Sequence, residues 1–180
     1  QLFAANRGYA TGIELSRELA AQDPRIFLPR QFENPLNALD HELATGPEIL
    51  TQLGGPADAF VSGYGTGGTL TGCGRALKAA SATTRVLAME PAEAAMLSGE
   101  MPCCHLIEGI AGGYVPPLLR GAQLDGVVKV SSADALAMTR RLSREFGLLV
   151  GTSSGANLVA ALRAAQRLGR EAQVVTILCD

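Results

Sequence analysis

The sequence predicts an α/β fold built on a doubly wound, mainly parallel sheet. Three observations carry that prediction. Short β-favouring runs alternate with helix-patterned stretches along the chain, the arrangement of successive βα units. At the centre, residues 57–62 read as a strand, Gly63-Tyr-Gly-Thr-Gly-Gly-Thr69 as a glycine loop, and residues 70–80 as a small-residue helix. The composition agrees: 180 residues, 47% hydrophobic and 18% charged, with 21 glycines to serve tight turns between layers.

Each element has its own signal. Residues 9–21 place Ile13, Leu15 and Leu19 among polar residues and predict a helix. Residues 25–28 are a short strand candidate. Asn34-Pro35 is a turn signal, since the residue before a proline is biased away from helix, and a domain crossover is expected there. Asn37 is expected to cap a short helix through His41. Thr45 is expected to open a second one, with Pro47 in its first turn and Glu48 at the positive end of its dipole. After the central unit, residues 84–89 form a second buried strand closed by Glu90-Pro91. A short helix is expected over 92–97 and a long loop over 98–119. Residues 127–130 are a short strand. Ser131 and Asp134 resemble a capping box with aspartate in the place of Glu or Gln. It opens a helix with Met138, Leu142 and Phe146 on its core face and Gly147 as its stop. Gly151-Thr-Ser-Ser-Gly-Ala-Asn157 reads as a second polar loop, opening an alanine-rich helix that ends near Gly169. Residues 172–179 form a β-branched strand. The chain starts at Gln1 and stops at Asp180 just past that strand. Open α/β sheets have their active sites beyond strand ends, so a piece of a longer protein is expected.

Charge and composition narrow the partners. A net charge of -2 gives no electrostatic reason to expect nucleic acid or an anionic membrane, and no apolar run is long enough to span a bilayer. The cysteines are Cys73, Cys103, Cys104 and Cys179, without metal spacing. Cys73 and Cys179 are expected as buried fillers and Cys103-Cys104 as reduced loop thiols, which fits a cytoplasmic location. His41 and His105 lie in no metal-ligand pattern and are expected to be structural or solvent-facing.

The glycine loop carries the chemistry. The first N–H groups of a helix lack internal partners and the dipole there is positive. Glycines let that backbone close around an anion, and threonine hydroxyls add donors. Five glycines from Gly63 to Gly72, interleaved with Thr66, Thr69 and Thr71, exceed what a bare βα turn needs. Bulky residues at Gly67 and Gly68 are expected to fill the space of the anion. A competing reading takes Gly63-x-Gly65-x-x-Gly68 as a dinucleotide fingerprint, with Glu90 as the acidic residue for an NAD ribose, and predicts a nicotinamide oxidoreductase. Against it, more than fifty ordered-looking residues precede the loop. A third reading, a non-catalytic fragment or interaction module, predicts no cofactor binding.

Six motifs occur in fixed order: Gln31-Phe-x-Asn-Pro-x-Asn-x-x-x-His41, Thr45-Gly-Pro-Glu-Ile49, Gly65-Thr-Gly-Gly-Thr69, Glu90-Pro91, Glu108-Gly-Ile-Ala-Gly-Gly-Tyr114 and Gly151-Thr-Ser-Ser-Gly155. Together they resemble the later part of the cysteine synthase (O-acetylserine sulfhydrylase) family over nearly all 180 residues. The resemblance implies the fold of type II pyridoxal-phosphate enzymes. Residues 1–34 would then be a remnant of a small domain, and residues 35–180 most of a large one. It implies pyridoxal 5'-phosphate as cofactor and a β-replacement that makes L-cysteine from O-acetyl-L-serine and sulfide. Cystathionine β-synthase-like or O-phosphoserine-using chemistry is the alternative.

Carried across by motif, the resemblance assigns Gly65, Thr66, Gly67, Gly68 and Thr69 to the cofactor phosphate. It assigns Ser153 to the pyridine nitrogen, Gln31 to the neighbourhood of the substrate carboxylate, and Gly109 to a loop at the active-site mouth. A hydroxyl at the ring nitrogen leaves it largely unprotonated, a moderate electron sink suited to β-elimination. Without the resemblance, Ser153 reads as a helix cap and Gln31 as a polar border residue. A homodimer, and binding of the C-terminal tail of serine acetyltransferase at the mouth, are also implied. The chain departs from the family in two ways. Ala111 and Gly112 exchange the small residues of the pattern Gly-Ile-Gly-Ala-Gly, and Tyr114 stands for the usual Phe. The family's Schiff-base lysine and its Thr-Ser-Gly-Asn loop precede the Gln31 motif and are not found here. The lysines present are Lys78 and Lys129. No catalytic residue is therefore assigned within the chain, and the 180 residues alone are predicted to be inactive.

Overall fold

The computed structural model describes residues 8–101 and 103–179. Residues 1–7 of the segment expected to finish a small domain lie outside the described residues. Helix α1 (Gly8–Gln22) leads through an irregular segment to α2 (Pro35–Asp40), a π-helical turn (His41–Thr45) and α3 (Gly46–Leu53). The α/β body follows as β1 (Ala59–Gly63), α4 (Gly68–Ala80), β2 (Arg85–Pro91), β3 (Gly126–Val130), α5 (Ser132–Phe146), α6 (Thr152–Leu168) and β4 (Val174–Thr176). The sheet order is β3-β2-β1-β4 and every pairing is parallel, with Ala59 opposite Arg85 on one side and Val174 on the other. The expected doubly wound sheet is thus present. Its strands read as apolar runs because helices cover the sheet, and Ala59, Phe60 and Val61 of β1 are fully buried.

Several local expectations are corrected. Residues 25–28 form no strand: they are flanked by Pro24 and Pro29, join no ladder among the described residues, and leave Phe27 84% exposed. The cap of α2 is Asn34, not Asn37. The Asn34 side chain accepts from the Leu36 N–H at 3.1 Å, and Pro35 occupies the first helical position. Thr45 directly precedes α3, with Pro47 and Glu48 in its first turn as expected, but its side chain makes no cap bond, because the chain is already helical there through the π turn, in which the Gly46 N–H reaches the His41 carbonyl. The wider turn absorbs the donor that Pro47 lacks. The helix expected over 92–97 shrinks to a 3₁₀ turn at Ala92–Ala94. The fully buried Glu90 explains that: its carboxylate accepts from the Leu97 N–H at 2.8 Å and the Ser98 N–H at 3.2 Å, taking donors a longer helix would use.

On α5, Ser131 caps as expected, accepting from the Asp134 N–H at 3.1 Å, and Gly147 takes the left-handed stop at φ 69°. Leu142 is buried and Met138 half-buried, but Phe146 is 64% exposed and is not core. The α5–α6 contact is tightest at Gly155, where a Cβ would lie 2.2 Å from Thr139 Oγ1, two turns before Phe146. Helix α6 begins at Thr152, so the expected second polar loop is mostly helix. Only Val174–Thr176 of the last strand pairs, and Cys179, beyond it, is exposed rather than buried.

Buried polar groups tie the layers together. Asn157 of α6, 1% exposed, accepts from the Gly63 N–H at 2.7 Å and donates to the Ile177 carbonyl at 2.8 Å, joining the ends of β1 and β4. Replacing it with leucine orphans both groups and is expected to cost about 1–3 kcal/mol. An unchanged urea midpoint in Asn157→Leu would contradict that tie. Lys78 pairs with Asp125 at 2.7 Å, and Asp125 also accepts from the Val86 N–H at 2.7 Å. Burial pushes the Asp125 carboxyl up, but these bonds and the charges of Lys78 and Arg85 outweigh it and hold it below its ordinary 3.8. A depressed carboxylate stabilises above its unfolded value and loses that stabilisation as pH falls. Asp125→Asn should therefore lower the thermal midpoint at pH 7, with the difference from wild type shrinking as pH drops below 3.8. A difference that persists in acid would show that charge is not its cause.

Candidate functional site

The chain winds outward from β1 to β2 and β3, then returns to the other side of β1 as β4. Such a reversal opens a crevice at the carboxyl end of the central strand, and here the glycine loop fills that position. The Gly63 N–H is held by Asn157. The Tyr64 carbonyl accepts from the Ala111 N–H at 2.9 Å, which draws the 107–113 loop across the mouth. Gly67 takes φ 84°, a conformation that L side chains rarely adopt, and α4 starts at the next residue.

A cavity of about 410 Å³ opens above this loop. Gly65, Thr66, Gly67 and Thr69 line one side, and Gln31, Phe32, Tyr9 and Gly109 face them. Among the described residues no acidic side chain lines it. Of the first-turn donors of α4, Gly68 N–H is held by Thr66 Oγ1 at 3.2 Å and Thr71 N–H by the Gly67 carbonyl at 3.0 Å. Those of Thr69 and Leu70 have no partner among the described residues and are left for an anion, with the dipole behind them. The arrangement can bind a phosphate monoester.

The glycines prove necessary for a different reason from the one expected. A Cβ on Gly67 would lie 2.7 Å from Leu119 Cγ, and one on Gly68 would lie 2.0 Å from Asn37 Oδ1. Side chains at these positions collide with the protein behind the loop, rather than filling the space of the anion. On Gly65, a Cβ would meet the Gly109 carbonyl at 2.8 Å, so the loop and the mouth touch backbone to backbone.

Two residues behind the loop escaped sequence reasoning. Asn37 Nδ2 donates to Thr66 Oγ1 at 3.0 Å, and His41 Nε2 lies 3.0 Å from Thr69 Oγ1. Local propensity reads the first as a cap and the second as structural or solvent-facing, without a place for either at the loop. The usable signal was their spacing of four, which places both on one helix face.

The other expected residues are dispersed. Ser153 stands half-buried in the first turn of α6, outside the cavity lining. Its neighbour Thr152 accepts from the Glu108 N–H at 3.0 Å, next to Gly109. Lys78 is engaged with Asp125 and lies ten residues along α4 from Gly68, ~15 Å at the helical rise. Lys129 pairs with Glu100. Glu90, the ribose-binding candidate of the dinucleotide reading, is fully buried and bonded to residues 97 and 98, which removes the acidic residue that reading requires. Facing it, the Tyr64 hydroxyl is buried, and burial followed by the proximity of Glu90 pushes its pKa up.

Residues 1–180 match the family described as pyridoxal-phosphate dependent enzyme. The chain belongs to that family. Its cofactor is pyridoxal phosphate, whose anionic end suits the donor set at the start of α4. A cysteine synthase of Staphylococcus aureus is 42% identical over 167 residues, covering 92% of this chain and 54% of that protein. The crystal structure of an O-acetylserine-dependent cystathionine β-synthase from Helicobacter pylori superposes with a TM-score of 0.93 at 40% identity, over 98% of this chain and 57% of that one. An O-acetylserine sulfhydrylase isoform from Entamoeba histolytica gives 0.91 at 35% identity, over 100% of this chain and 54% of that one. The chain spans little more than half the length of these relatives.

The exchanged pair at the mouth also has a physical account. Ala111 sits at φ 46°, a left-handed position, whereas a Cβ on Gly112 would lie 2.1 Å from the Tyr9 ring. Gly112 is bare so that Tyr9 can pack on it. Gly112→Ala is expected to cost about 1–3 kcal/mol through overpacking. In Ala111→Gly, relief of left-handed strain is offset by lost methyl burial and added unfolded-state freedom, so the change stays within about 1 kcal/mol. Urea denaturation of both checks this; equal effects would refute the role given to Tyr9.

Proposed function

We propose that the protein carrying this chain is a pyridoxal-phosphate-dependent β-replacement enzyme that makes L-cysteine from O-acetyl-L-serine and sulfide. The observation that supports it most is the anion cup, where free helix-start donors and two threonines meet at the sheet's winding reversal. The 42% identity to a cysteine synthase narrows the reaction class.

Bound pyridoxal phosphate supplies the electron sink through which an amino acid can lose its α-proton and then its β-substituent. The chain's own residues bind and orient. Gly65, Thr66, Gly67, Gly68 and Thr69 hold the phosphate, with backbone N–H groups and hydroxyls as donors. Gln31, exposed across the cavity, offers its amide to the substrate carboxylate. Gly109, at φ 81°, lets the mouth loop turn over the cup. The Ser153 hydroxyl is the partner for the pyridine nitrogen, poised at the start of α6. Lys78 and Lys129 are both committed to carboxylates, so the amine that holds the cofactor comes from outside these 180 residues, and the 180 residues alone do not turn over. A homodimer and docking of a serine acetyltransferase tail at the mouth complete the reading.

A second thiol acceptor is favoured by the match to an O-acetylserine-dependent cystathionine β-synthase. The test is to purify the whole protein, record its visible spectrum, and assay O-acetylserine with sulfide and with homocysteine. Bound-pyridoxal absorbance with cysteine formation is expected; faster turnover of homocysteine selects the second reading. Nicotinamide binding without pyridoxal absorbance would overturn both.

A further inference from the structure

Asn37 and His41 stand one turn apart on the helical run 35–53, while Thr66 stands in the glycine loop and Thr69 in the first turn of α4. The two pairs meet as Asn37–Thr66 and His41–Thr69, across 29 and 28 residues of sequence. We infer that Asn37 and His41 are positioning residues that fix the direction in which the two threonine hydroxyls donate, turning both protons toward the bound anion. This rests on the anion-cup reading above.

The donor arithmetic is closed at Thr66. Asn37 Nδ2 also donates to the Gln31 carbonyl at 2.8 Å, which requires an amine at that end of the amide and settles its orientation. Thr66 Oγ1 therefore accepts from Asn37 at 3.0 Å and from the Gly68 N–H at 3.2 Å. Neither partner can accept, so the hydroxyl proton is directed elsewhere, and the cavity lies there. Gly68 makes the approach possible, since a Cβ there would sit 2.0 Å from Asn37 Oδ1.

At Thr69 the direction depends on a tautomer. His41 Nδ1 lies 2.9 Å from Thr45 Oγ1 and Nε2 lies 3.0 Å from Thr69 Oγ1. A neutral imidazole donates from one nitrogen and accepts at the other. With the proton on Nε2, the ring accepts from Thr45 and donates to Thr69, freeing the Thr69 proton for the anion. With the proton on Nδ1, the Thr69 hydroxyl is spent on the ring. A phosphate in the cup selects the first state.

The test uses the whole protein, with pyridoxal phosphate and inorganic phosphate as separate probes. ¹⁵N shifts of the His41 ring are read with and without phosphate; an Nε2–H in the bound state is expected, and an Nδ1–H tautomer there overturns the inference. Asn37→Asp keeps the shape but replaces the donor with a charged acceptor, and His41→Leu removes the ring. Each should weaken both probes about 10- to 100-fold. His41→Gln, which keeps a donor near Nε2, should stay close to wild type, as should Leu39→Ala on the exposed face of the same helix. Apo thermal midpoints separate loss of fold from loss of donors, and His41→Gln against Asn37→Asp decides if His41→Leu does not fold. If pyridoxal phosphate fails to bind while the inorganic phosphate pattern holds, the cofactor reading falls and this inference stands. Phosphate affinity that is undetectable, or equal in all variants, overturns it.

Discussion

The site depends on two helical segments lying closer together than side chains would allow. The run 35–53 crosses α4 at three glycines. A Cβ on Gly72 would lie 2.1 Å from the Ala38 carbonyl, one on Gly46 would lie 2.4 Å from Ala76 Cβ, and one on Gly68 would lie 2.0 Å from Asn37 Oδ1. Glycine inside a helix costs up to about 1 kcal/mol relative to alanine, so three at one crossing must be offset by what the contact brings. It buries Ala38, Ile49 and Cys73, and it delivers the polar side chains of Asn37 and His41 to the back of the cup. In that tight apolar setting burial pushes the Cys73 thiol up to about 11, which leaves it an inert filler.

The same economy governs the sheet end. Glu90 and Asn157 are buried polar side chains at the carboxyl ends of strands, and burying such groups is costly unless they are bonded. Glu90 takes three donors from residues 97 and 98, and Asn157 bridges β1 to the chain beyond β4. Glu90, still opposite Lys129 in β3, lies one residue past the last β1 pairing, and Asn157 reaches the end of β1 from α6; each fixes the loop that follows. The consequence is functional: Gly63 is fixed before the glycine loop starts, and the segment after β2 leaves in a set direction toward the mouth.

Much of this was legible in the sequence. Strand, glycine loop and helix from residue 57 to 80 follow from period and glycine spacing, and the Ser131 cap and Gly147 stop follow from local chemistry. What failed was whatever depends on a distant partner. Asn34 and Asn37 are equal by cap propensity, and Pro35, which favours the residue before it as the cap, was the neglected clue. The 25–28 segment has strand-like residues but no strand beside it among those described. Phe146 fits the apolar period of α5, yet it lies past the crossing with α6. The π turn arises from Pro47 within a helix whose ends are both well signalled, a conflict that periodicity alone resolves wrongly.

The cup and the mouth are built on opposite terms. In the cup, each threonine has its partner and the backbone is held from behind by α2 and from the side by α6. At the mouth, Tyr9, Phe32 and Tyr114 form a ring stack with centroids 6.0 and 5.6 Å apart, resting on a loop with Ala111 in a left-handed conformation. The Tyr114 hydroxyl, where the family has phenylalanine, is buried with no hydrogen-bond partner among the described residues; burial, aided by Glu33 and opposed by Arg17, pushes its pKa up to about 12. An orphaned neutral hydroxyl is a poor stabiliser and a ready donor to whatever enters. The cup's threonine side chains are fixed from behind while helix-start N–H groups stay open, whereas the mouth carries a buried hydroxyl with no partner among the described residues.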